Sequence, residues 1–486
     1  MTEEIEATAR AHPEWETLQS FAARRPPLDE RLAAGKAVRA RRPRSGFGDY
    51  VQRRRGDAAL EIVQAQNVTR VVSLVPVRMA RMLSSPFAYL RGSAAVMAAD
   101  LARGASTGLA VYACGDMHLL NFGLFASAER NLVFAINDFD EVHPGPWEWD
   151  LKRLGASAAV AAIHLGGDRT HAEAAAFACG EAYVRRMRRY AQMGFLETWY
   201  DLIDEQTILT LASPQQRRFA RAIIDKAHAR GPVRALERLT EEVDGQHRIV
   251  EDVPLIVRET HLPNGVPIGQ AIDVMMRSYL ASMTLDRRHL VSRYRLVDVA
   301  RKVVGVGSVG TSCWIGLLEG ADSADPLLLQ VKEAQPSILA PHVPHKLEIN
   351  NQGRRVVVGQ RMIQGSPDIF LGWGPAEGET GLRDFYVRQL ADMKGGIRLL
   401  EGDVAALGSI EDYCRLCGWA LALAHAKSGD AAMISGYCGR SEAVPDALAQ
   451  FAMAYLEQTL RDHDRLAAAV RAGRVAVASA EEAGVG

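Results

Sequence analysis

The chain has 486 residues, about three times the length of a typical single domain, so we expect two or more lobes. Apolar residues make up 48% and charged residues 24% of the chain, which excludes a mainly disordered, collagen-like or coiled-coil protein. The 57 Lys and Arg residues against 58 Asp and Glu residues leave a formal charge of −1, which excludes a polycation built to coat nucleic acid.

The N-terminus and the cysteines favour a cytoplasmic protein without a membrane partner. The first stretch, MTEEIEATARAHPEWETL, is acidic and has no apolar core, so we expect no secretory signal. No apolar run reaches about 18 residues, so we expect no membrane span. The six cysteines are scattered, and the C-x-x-C of Cys414 and Cys417 lies in an apolar helical pattern. Core packing explains this pair better than a zinc or redox site, and a reduced, cytoplasmic enzyme fits these observations.

The texture of the sequence divides the chain into four segments. Residues 1–70 form a basic arm, which we interpret as solvated or packed, with a lid or an anion-binding patch as the alternative. Residues 71–293 show mainly helical periodicity. Residues 294–393 are rich in Val, Leu and Ile with glycine turns, which predicts strands, and residues 394–486 are helical again.

Two short strands are predicted inside the first helical segment, at Leu109–Ala113 and Leu132–Ile136. Each strand is followed by acidic and amide residues, which indicates a site at the carboxyl ends of the two strands. Residues 147–245 have helical periodicity and an Ala-rich composition. In the β-rich segment we expect a hairpin, a third strand, a helix within NNQGRRVVVGQRMIQGS and a final pair of strands.

The strongest chemical signal is CGDMHLLNFG, followed after the next strand by NDFDE. Asp116, His118 and Asn121 have the spacing D-x-H-x-x-N, in which the Asp accepts a proton from, or orients, an attacking hydroxyl. The side-chain oxygen of Asn121 is suited to a divalent ion, and Asp138 to bridging that ion and phosphates. Two carboxylates and an amide suffice for Mg²⁺. The alternative is that these polar residues cap turns after strands.

A second signal is VGVGSVGTSCWIGLL, in which Gly305, Gly307 and Gly310 form G-x-G-x-x-G around Ser308. Because β-rich sequence follows the glycines, a hairpin over nucleotide phosphates fits better than a dinucleotide-binding strand–turn–helix. An ordinary hairpin is the alternative. Lys332 ends the next apolar strand, where a buried cation is placed to hold the α and β phosphates, with a solvated lysine as its alternative.

These motifs resemble the protein-kinase-like superfamily, especially its aminoglycoside and choline phosphotransferases. There the catalytic loop reads H-G-D-x-H-x-x-N, and the metal-binding Asp follows in I-D-[FW]-[DE]. The resemblance implies that Asp116 is the catalytic base, with His118 as a second candidate catalytic residue in the same motif. It implies that Asn121 and Asp138 bind Mg²⁺, with Asp140 as a further candidate ligand.

The same resemblance implies that the glycine loop with Ser308 covers the phosphates of ATP and that Lys332 pairs with them. In an ordinary kinase both features precede the catalytic loop, whereas here they follow it, which a circular permutation explains. The expected fold class is therefore α+β: a two-lobed, circularly permuted, protein-kinase-like fold. Residues 71–293 and 394–486 would form the mainly helical large lobe, and residues 294–393 the β-rich small lobe.

More narrowly, the chain resembles an uncharacterised bacterial family, the domain of unknown function 2252. The stretches that carry this likeness are SPFAYLRGSAAVMAADLA, CGDMHLLNFG, NDFDEVHPGPWEWDLKRLGAS, FYVRQLADMKG and AHAKSGD. The likeness runs from about Val71 to about Asp464, most of the chain.

Two positions depart from the superfamily pattern. Cys114 stands where the catalytic loop has its first His, and no acidic residue lies in the presumed helix to pair with the lysine. Glu348 is the nearest candidate but precedes that helix, and Gln360 and Gln364 within it are uncharged.

Four further residues have two interpretations each. Asp150 caps its helix or ties down the catalytic loop, and Arg91 either reaches an anion or is a surface arginine at a helix start. His425 and Asp430 approach the site in the permuted fold, or serve only at a helix end and a turn.

The leading hypothesis is an ATP- and Mg²⁺-dependent phosphotransferase acting on a hydroxyl of a small molecule or a protein. Nucleotidyl transfer uses the same groups, and a non-catalytic nucleotide-binding protein is a second alternative. A metallophosphoesterase-like hydrolase is the third, but it needs downstream histidine clusters that the 13 histidines do not form. We therefore expect ATP and Mg²⁺ as cofactors, and neither nucleic acid nor a membrane as a partner.

Overall fold

The computed structural model describes residues 24–484 apart from a few internal positions, and these residues form a mixed α+β fold, as predicted. The positions outside the description are 213, 263, 345, 346, 348, 379, 380, 391, 392, 394 and 398, so the candidate Glu348 lies outside the described residues. No helix among the described residues is long and apolar enough to cross a bilayer.

The helices in residues 24–293 are α1 (Leu28–Ala37), α2 (Ala58–Asn67), α3 (Val75–Leu83), α4 (Pro86–Gly92), α5 (Ala94–Leu101), α6 (Trp147–His164), α7 (Arg169–Tyr190), α8 (Phe195–Tyr200), α9 (Glu205–Leu211), α10 (Pro214–His228), α11 (Pro232–Leu239), α12 (Ile268–Ser282) and α13 (Leu285–Val291). The later helices are α14 (Gln352–Ile363), α15 (Val404–Leu407), α16 (Ile410–Ser428), α17 (Ala431–Cys438), α18 (Ala443–Arg471) and α19 (Ala480–Ala483).

The strands are β1 (Ala110–Ala113), β2 (Phe122–Ala126), β3 (Leu132–Ile136), β4 (His143–Pro146), β5 (Thr240–Val243), β6 (Gln246–Ile249), β7 (Ile256–Val257), β8 (Arg295–Lys302), β9 (Cys313–Glu319), β10 (Pro326–Glu333), β11 (Gly372–Gly378) and β12 (Gly381–Gln389).

Helices α6, α7, α16 and α18 pack into one apolar core because small residues let their backbones approach closely. A Cβ on Gly180 of α7 would lie 3.0 Å from Leu448 of α18, and one on Gly418 of α16 would lie 2.3 Å from the carbonyl oxygen of Cys179. Cys414 and Cys417 are fully buried in this core, as predicted from their helical pattern. The Ala-rich sequence therefore specifies tight helix packing rather than a metal site.

A six-stranded antiparallel sheet is formed in the order β11-β12-β10-β9-β8-β7. Five of these strands lie in the predicted β-rich segment 294–393, and β7 joins them from earlier in the chain. Side chains of β10 alternate between the two faces of the sheet. Leu327 and Leu329 pack against α12, whereas Leu328 packs against Leu236 of α11. Helices therefore cover both faces of the sheet.

Two short antiparallel pairs, β1–β4 and β2–β3, lie outside this sheet and frame the predicted site. The predicted strand Leu132–Ile136 is confirmed in full, and Leu109–Ala113 is confirmed from Ala110 onwards. The expectation of helix through residue 245 is wrong at its end, because residues 240–249 form the hairpin β5–β6. Its turn is Asp244-Gly245, in which both residues have positive φ, an arrangement that favours a hairpin over a helix.

The described part of the basic arm packs against the helical core. Arg53 is buried and forms ion pairs with Asp100, at 2.9 Å, and with Asp462 of α18. Arg39 and Arg44 donate hydrogen bonds to the last carbonyls of α17, where cations are favourable at a helix C-terminus. Of the two interpretations of this arm, these contacts favour the packed one for the described residues.

Candidate functional site

The loop that follows β1 carries Asp116 next to Gly307, and we call the region bounded by Asp116, Gly307, Asp138 and Lys332 the cleft. Oδ1 of Asp116 accepts hydrogen bonds from Nε and Nη2 of Arg153 on α6, at 2.9 and 2.6 Å. Oδ2 lies 3.9 Å from Nε2 of His118, and about a quarter of the Asp116 side chain is exposed. One carboxylate oxygen is therefore fixed by two charge-assisted hydrogen bonds from one guanidinium, and the other is left for the cleft.

Asp150 of α6 holds the backbone of this loop, which confirms the tie predicted for it. Its two carboxylate oxygens accept hydrogen bonds from the amides of Cys114 and Gly115, at 2.6 and 2.9 Å. Nε2 of His425 lies 3.2 Å from the Asp150 carboxylate, so His425 supports the loop from behind. Gly115 has φ +81°, and a Cβ there would lie 2.9 Å from Glu141, so this position requires glycine.

Asn121 joins the two polar loops instead of facing the cleft. Its side-chain oxygen accepts a hydrogen bond from the amide of Asp138 at 2.7 Å. Its Nδ2 donates to the carbonyls of Asp116 and Asp138, at 3.0 and 3.1 Å, and the residue is 3% exposed. Both ends of the amide are therefore engaged, so in this structure Asn121 sets the distance between Asp116 and Asp138. Its predicted role as a metal ligand stays a prediction.

Lys332, near the end of β10, contacts the loop of Asp138 and Asp140, although 194 residues separate Lys332 from Asp138. Its Nζ lies 3.5 Å from Oδ2 of Asp138 and also forms an ion pair with Asp140. The lysine side chain is 2% exposed, whereas that of Asp138 is 41% exposed. The sheet therefore supplies a buried cation to a carboxylate that opens to the cleft.

The charges of this cluster determine its protonation. Burial alone would raise the pKa of Asp138, but Lys332 and Arg388 outweigh that effect and lower it below its usual value. Burial and the charge of Asp138 raise the pKa of Asp140. For Lys332, burial would lower the pKa, but the two carboxylates raise it well above its usual value. Asp138 is therefore an anion at neutral pH, and Lys332 is a cation.

Two residues of the sheet and one of α14 hold the loop of Asp138 and Asp140 in place. The hydroxyl of Tyr386 donates to Oδ1 of Asp140 at 2.6 Å, and Nη1 of Arg388 donates to the carbonyl of Asn137 at 2.9 Å. Buried Arg355 of α14 donates to the carbonyls of Asp140 and Val142, at 2.8 and 2.7 Å. The loop is thereby docked on the sheet through many hydrogen bonds.

The glycine loop connects β8 to β9, as predicted, and lies over Asp116. Gly305 and Gly310 have φ of +68° and +88°. A Cβ on Gly307 would lie 3.4 Å from the carbonyl oxygen of Arg91 and 3.9 Å from Oδ2 of Asp116. Arg81 donates a hydrogen bond to the carbonyl of Gly305 at 2.6 Å, which helps to hold the loop down. The structure thus brings the glycine loop and the candidate base together.

Two polar groups in this cleft have no partner among the described residues. Nε of Arg91 is buried and has no hydrogen-bond partner there, and the charge of Asp116 acts on this guanidinium. Nδ1 of His118, which is 9% exposed, likewise has no hydrogen-bond partner there. Burial, aided by the charges of Arg91 and Arg153, lowers the pKa of His118 to about 4, against the attraction of Asp116. His118 is therefore neutral at pH 7.

Replacing His118 by glutamine is expected to reduce the loss of stability in acid. The pKa of His118 is about 4 in the native chain against 6.5 when unperturbed, so the unfolded chain binds a proton in this interval and the native chain does not. The contribution of neutral His118 to the free energy of unfolding is therefore full above pH 6.5 and is lost as the pH falls towards 4. Urea unfolding between pH values of about 7.5 and 4.5 should show a loss roughly 2–3 kcal/mol smaller in His118→Gln than in the unaltered protein.

The matched control for this experiment is His289→Gln, because His289 is exposed and lies on a different element, α13. We expect this control to lose stability in acid as the unaltered protein does. An identical pH dependence in His118→Gln and in the unaltered protein would contradict the burial of a neutral imidazole.

Sequence reasoning missed several residues of the cleft, above all Arg153, Arg355 and Arg388. In the sequence these arginines look like ordinary residues of a helix or a strand. Only their carbonyl and carboxylate partners, which are far away in sequence, show their role. Asp430 does not join the cleft, because it caps α17 and pairs with Arg31. Gln360 of α14 donates to Gln364, the residue that follows the helix, and the acidic partners of Lys332 among the described residues are Asp138 and Asp140.

The described part of the chain contains no cluster of three or more His, Cys, Asp or Glu side chains arranged to hold a metal ion. The carboxylates of Asp138 and Asp140 lie side by side against Lys332. These hard oxygen donors suit a cation such as Mg²⁺, which keeps several waters and needs few protein ligands.

A polar cleft between an antiparallel sheet and a helical core thus defines this α+β protein. A family model described as an uncharacterised protein conserved in bacteria, DUF2252, matches residues 70–469. Because this match covers most of the chain, the chain belongs to that family. No curated protein and no solved structure matches it.

Proposed function

We propose that the chain is an ATP- and Mg²⁺-dependent phosphotransferase of kinase-like type that acts on a hydroxyl acceptor. The observation that carries this proposal is the contact between Lys332 and Asp138, 3.5 Å apart although 194 residues separate them. A phosphate-binding lysine and a metal-binding carboxylate have to share one cleft in such an enzyme. Asp116 lies in the same cleft, under the glycine loop.

The order of elements supports a two-lobed, circularly permuted kinase-like fold. Along the chain, the strands β8 and β9 with the glycine loop between them come first. The lysine-bearing strand β10, helix α14 and the strands β11 and β12 follow in that order. The loops of Asp116 and Asp138 are joined by the hairpin β2–β3 and come earlier in sequence. A permutation changes where the chain begins but leaves the same groups in contact.

Each polar group then has a defined task. Asp116, held by Arg153, is oriented to accept the proton of an attacking hydroxyl. Asp138 and Asp140 would hold Mg²⁺, which supplies positive charge to the phosphates when bound. We assign Lys332 and Arg91 to the phosphate oxygens, because Lys332 is a buried cation and Nε of Arg91 is buried without a partner in the described chain. Catalysis consists mainly of positioning and charge neutralisation.

A non-catalytic nucleotide-binding protein is the second candidate, and one observation favours it. The side-chain oxygen of Asn121, the predicted metal ligand, accepts a hydrogen bond from the amide of Asp138, and its Nδ2 donates to the carbonyls of Asp116 and Asp138. A metal ion in a site of this geometry has one ligand fewer than the kinase-like reaction uses. Nucleotidyl transfer uses the same groups as phosphoryl transfer, so the fate of the label in the nucleotide distinguishes the two reactions.

The test uses the full chain with Mg²⁺ and ATP labelled in either the γ or the α phosphate. Isothermal titration should show Mg²⁺·ATP binding that weakens at least about tenfold in Lys332→Met, because a charged hydrogen-bond partner of phosphate is lost. Transfer of γ label to an acceptor supports phosphoryl transfer, and transfer of α label supports nucleotidyl transfer instead.

The matched control is Lys302→Met, a lysine on β8, which is separated from β10 by β9, and it is absent from the Asp138 contacts. We expect it to bind Mg²⁺·ATP as the unaltered protein does. Binding without transfer of either label across a broad set of hydroxyl acceptors would favour the non-catalytic candidate. A protein that binds no nucleotide at all would refute both.

A further inference from the structure

A cavity of about 290 Å³ lies behind the hairpin β2–β3, and neither Lys332 nor Asp138 lines it. It is bounded by this hairpin, by α16 and by α10. The volume is close to the lower end of the range for small-molecule sites. The proposed phosphotransfer uses none of its lining residues.

Most of the surface that lines this cavity is apolar, and its charged lining residues are Arg185, Arg186, Asp412 and Arg415. Leu124 and Phe134 are paired across the hairpin and form one wall. Ile208, Ile224, Leu399 and Leu416 form much of the rest. A cavity with such a lining favours the aliphatic or aromatic part of a ligand, because apolar area removed from water drives binding.

One arginine at the cavity has an unusual environment. The guanidinium carbon of Arg186 lies 3.4 Å from the ring centroid of Trp419, and both residues line the cavity. Nε of Arg186 is buried without a partner, and the side chain makes no hydrogen bond or ion pair with the described residues. Stacking on an aromatic ring orients a guanidinium but leaves its N–H donors free.

Arg415, which also lines the cavity, is a built-in comparison. It forms ion pairs with Glu181, Glu411 and Asp412, at 3.4, 3.1 and 3.1 Å, so its charge is balanced within the protein. Arg186 therefore has no ion-pair partner among the described residues, and the carboxylate of Asp201, which acts on its charge from farther away, accepts a hydrogen bond from Tyr190. A partly buried cation of this kind is stabilised by an anion that bonds to its free donors.

We propose that this cavity binds an amphipathic monoanion, a carboxylate with an apolar body, whose carboxylate bonds to Arg186 and whose body fills the apolar space. The volume accommodates about ten non-hydrogen atoms at roughly 30 Å³ each. A medium-chain fatty carboxylate has this size and charge. The site is separate from the proposed phosphotransfer cleft and does not depend on it.

The experiment measures binding of radiolabelled decanoate and of 1-decanol to the full chain by equilibrium dialysis. The two probes share the same chain, so their difference reports the carboxylate. We expect decanoate to bind more tightly than decanol. Arg186→Gln should weaken decanoate about 10- to 100-fold, the loss of a charged hydrogen bond, and leave decanol unchanged. The control variant Arg188→Gln should bind both probes normally, because Arg188 is on the same helix, α7, but does not line the cavity.

Filling the cavity tests the apolar part. Ile224→Trp should abolish binding of both probes, and Leu399→Trp serves as a second filling variant if the first fails to fold by circular dichroism. Absence of decanoate binding to the unaltered protein would overturn the proposal. So would decanoate binding that neither Arg186→Gln nor a folded filling variant changes. Because no nucleotide is present, neither result bears on the phosphotransfer proposal.

Discussion

Replacing Asp116 by asparagine is expected to lower phosphoryl transfer about 100- to 10,000-fold, the range for loss of a general base. Affinity for Mg²⁺·ATP should stay within about twofold, because the change removes a charge from the acceptor side of the cleft and none from the predicted phosphate ligands. The asparagine oxygen still accepts hydrogen bonds from Arg153, so the loop keeps its position. Single-turnover measurements with γ-labelled ATP separate the chemical step from binding.

The control for this variant is Arg153→Lys, which keeps the positive charge but loses the paired hydrogen bonds of the guanidinium to Oδ1 of Asp116. We expect a smaller fall in turnover, because the base is still present but is less well oriented. Full turnover by Asp116→Asn would remove Asp116 from the role of base. Equal losses of turnover and of Mg²⁺·ATP affinity would place it among the nucleotide ligands instead.

Replacing Asp138 by alanine is expected to weaken Mg²⁺·ATP binding by at least about 100-fold while the fold stays intact. The carboxylate of Asp138 is ionised and open to the cleft, so it is suited to a cation. Its loss also removes negative charge that offsets the positive charges of Lys332 and Arg388. Affinity for ATP without metal should not fall, because the phosphates then meet a more positive cleft. Titration calorimetry with and without Mg²⁺ measures both quantities.

Asp140→Asn is the comparison for this second variant. Asp140 already accepts a hydrogen bond from Tyr386 and pairs with Lys332, so its loss should weaken Mg²⁺·ATP less than the loss of Asp138 does. Circular dichroism and urea unfolding establish that both variants are folded. Unchanged Mg²⁺·ATP affinity and activity in Asp138→Ala would defeat the assignment of this carboxylate to the metal.

The sequence by itself determined the local parts of the site. The strand before Asp138, the glycine hairpin and the lysine strand are all encoded in short stretches, because side-chain alternation and turn-forming residues act over a few positions. The D-x-H-x-x-N spacing likewise located the loop of Asp116. Strand β2 was missed because it follows the polar loop directly, with no turn signal between them.

Only the tertiary structure decided which of these parts meet. The contact of Lys332 with Asp138 joins residues 194 positions apart, and no periodicity extends over such a distance. The same is true of Arg153, whose partner is Asp116, and of the engagement of Asn121 between two backbones. Their roles follow from buried polar groups finding partners wherever packing places them, since an unpaired group in the interior is costly.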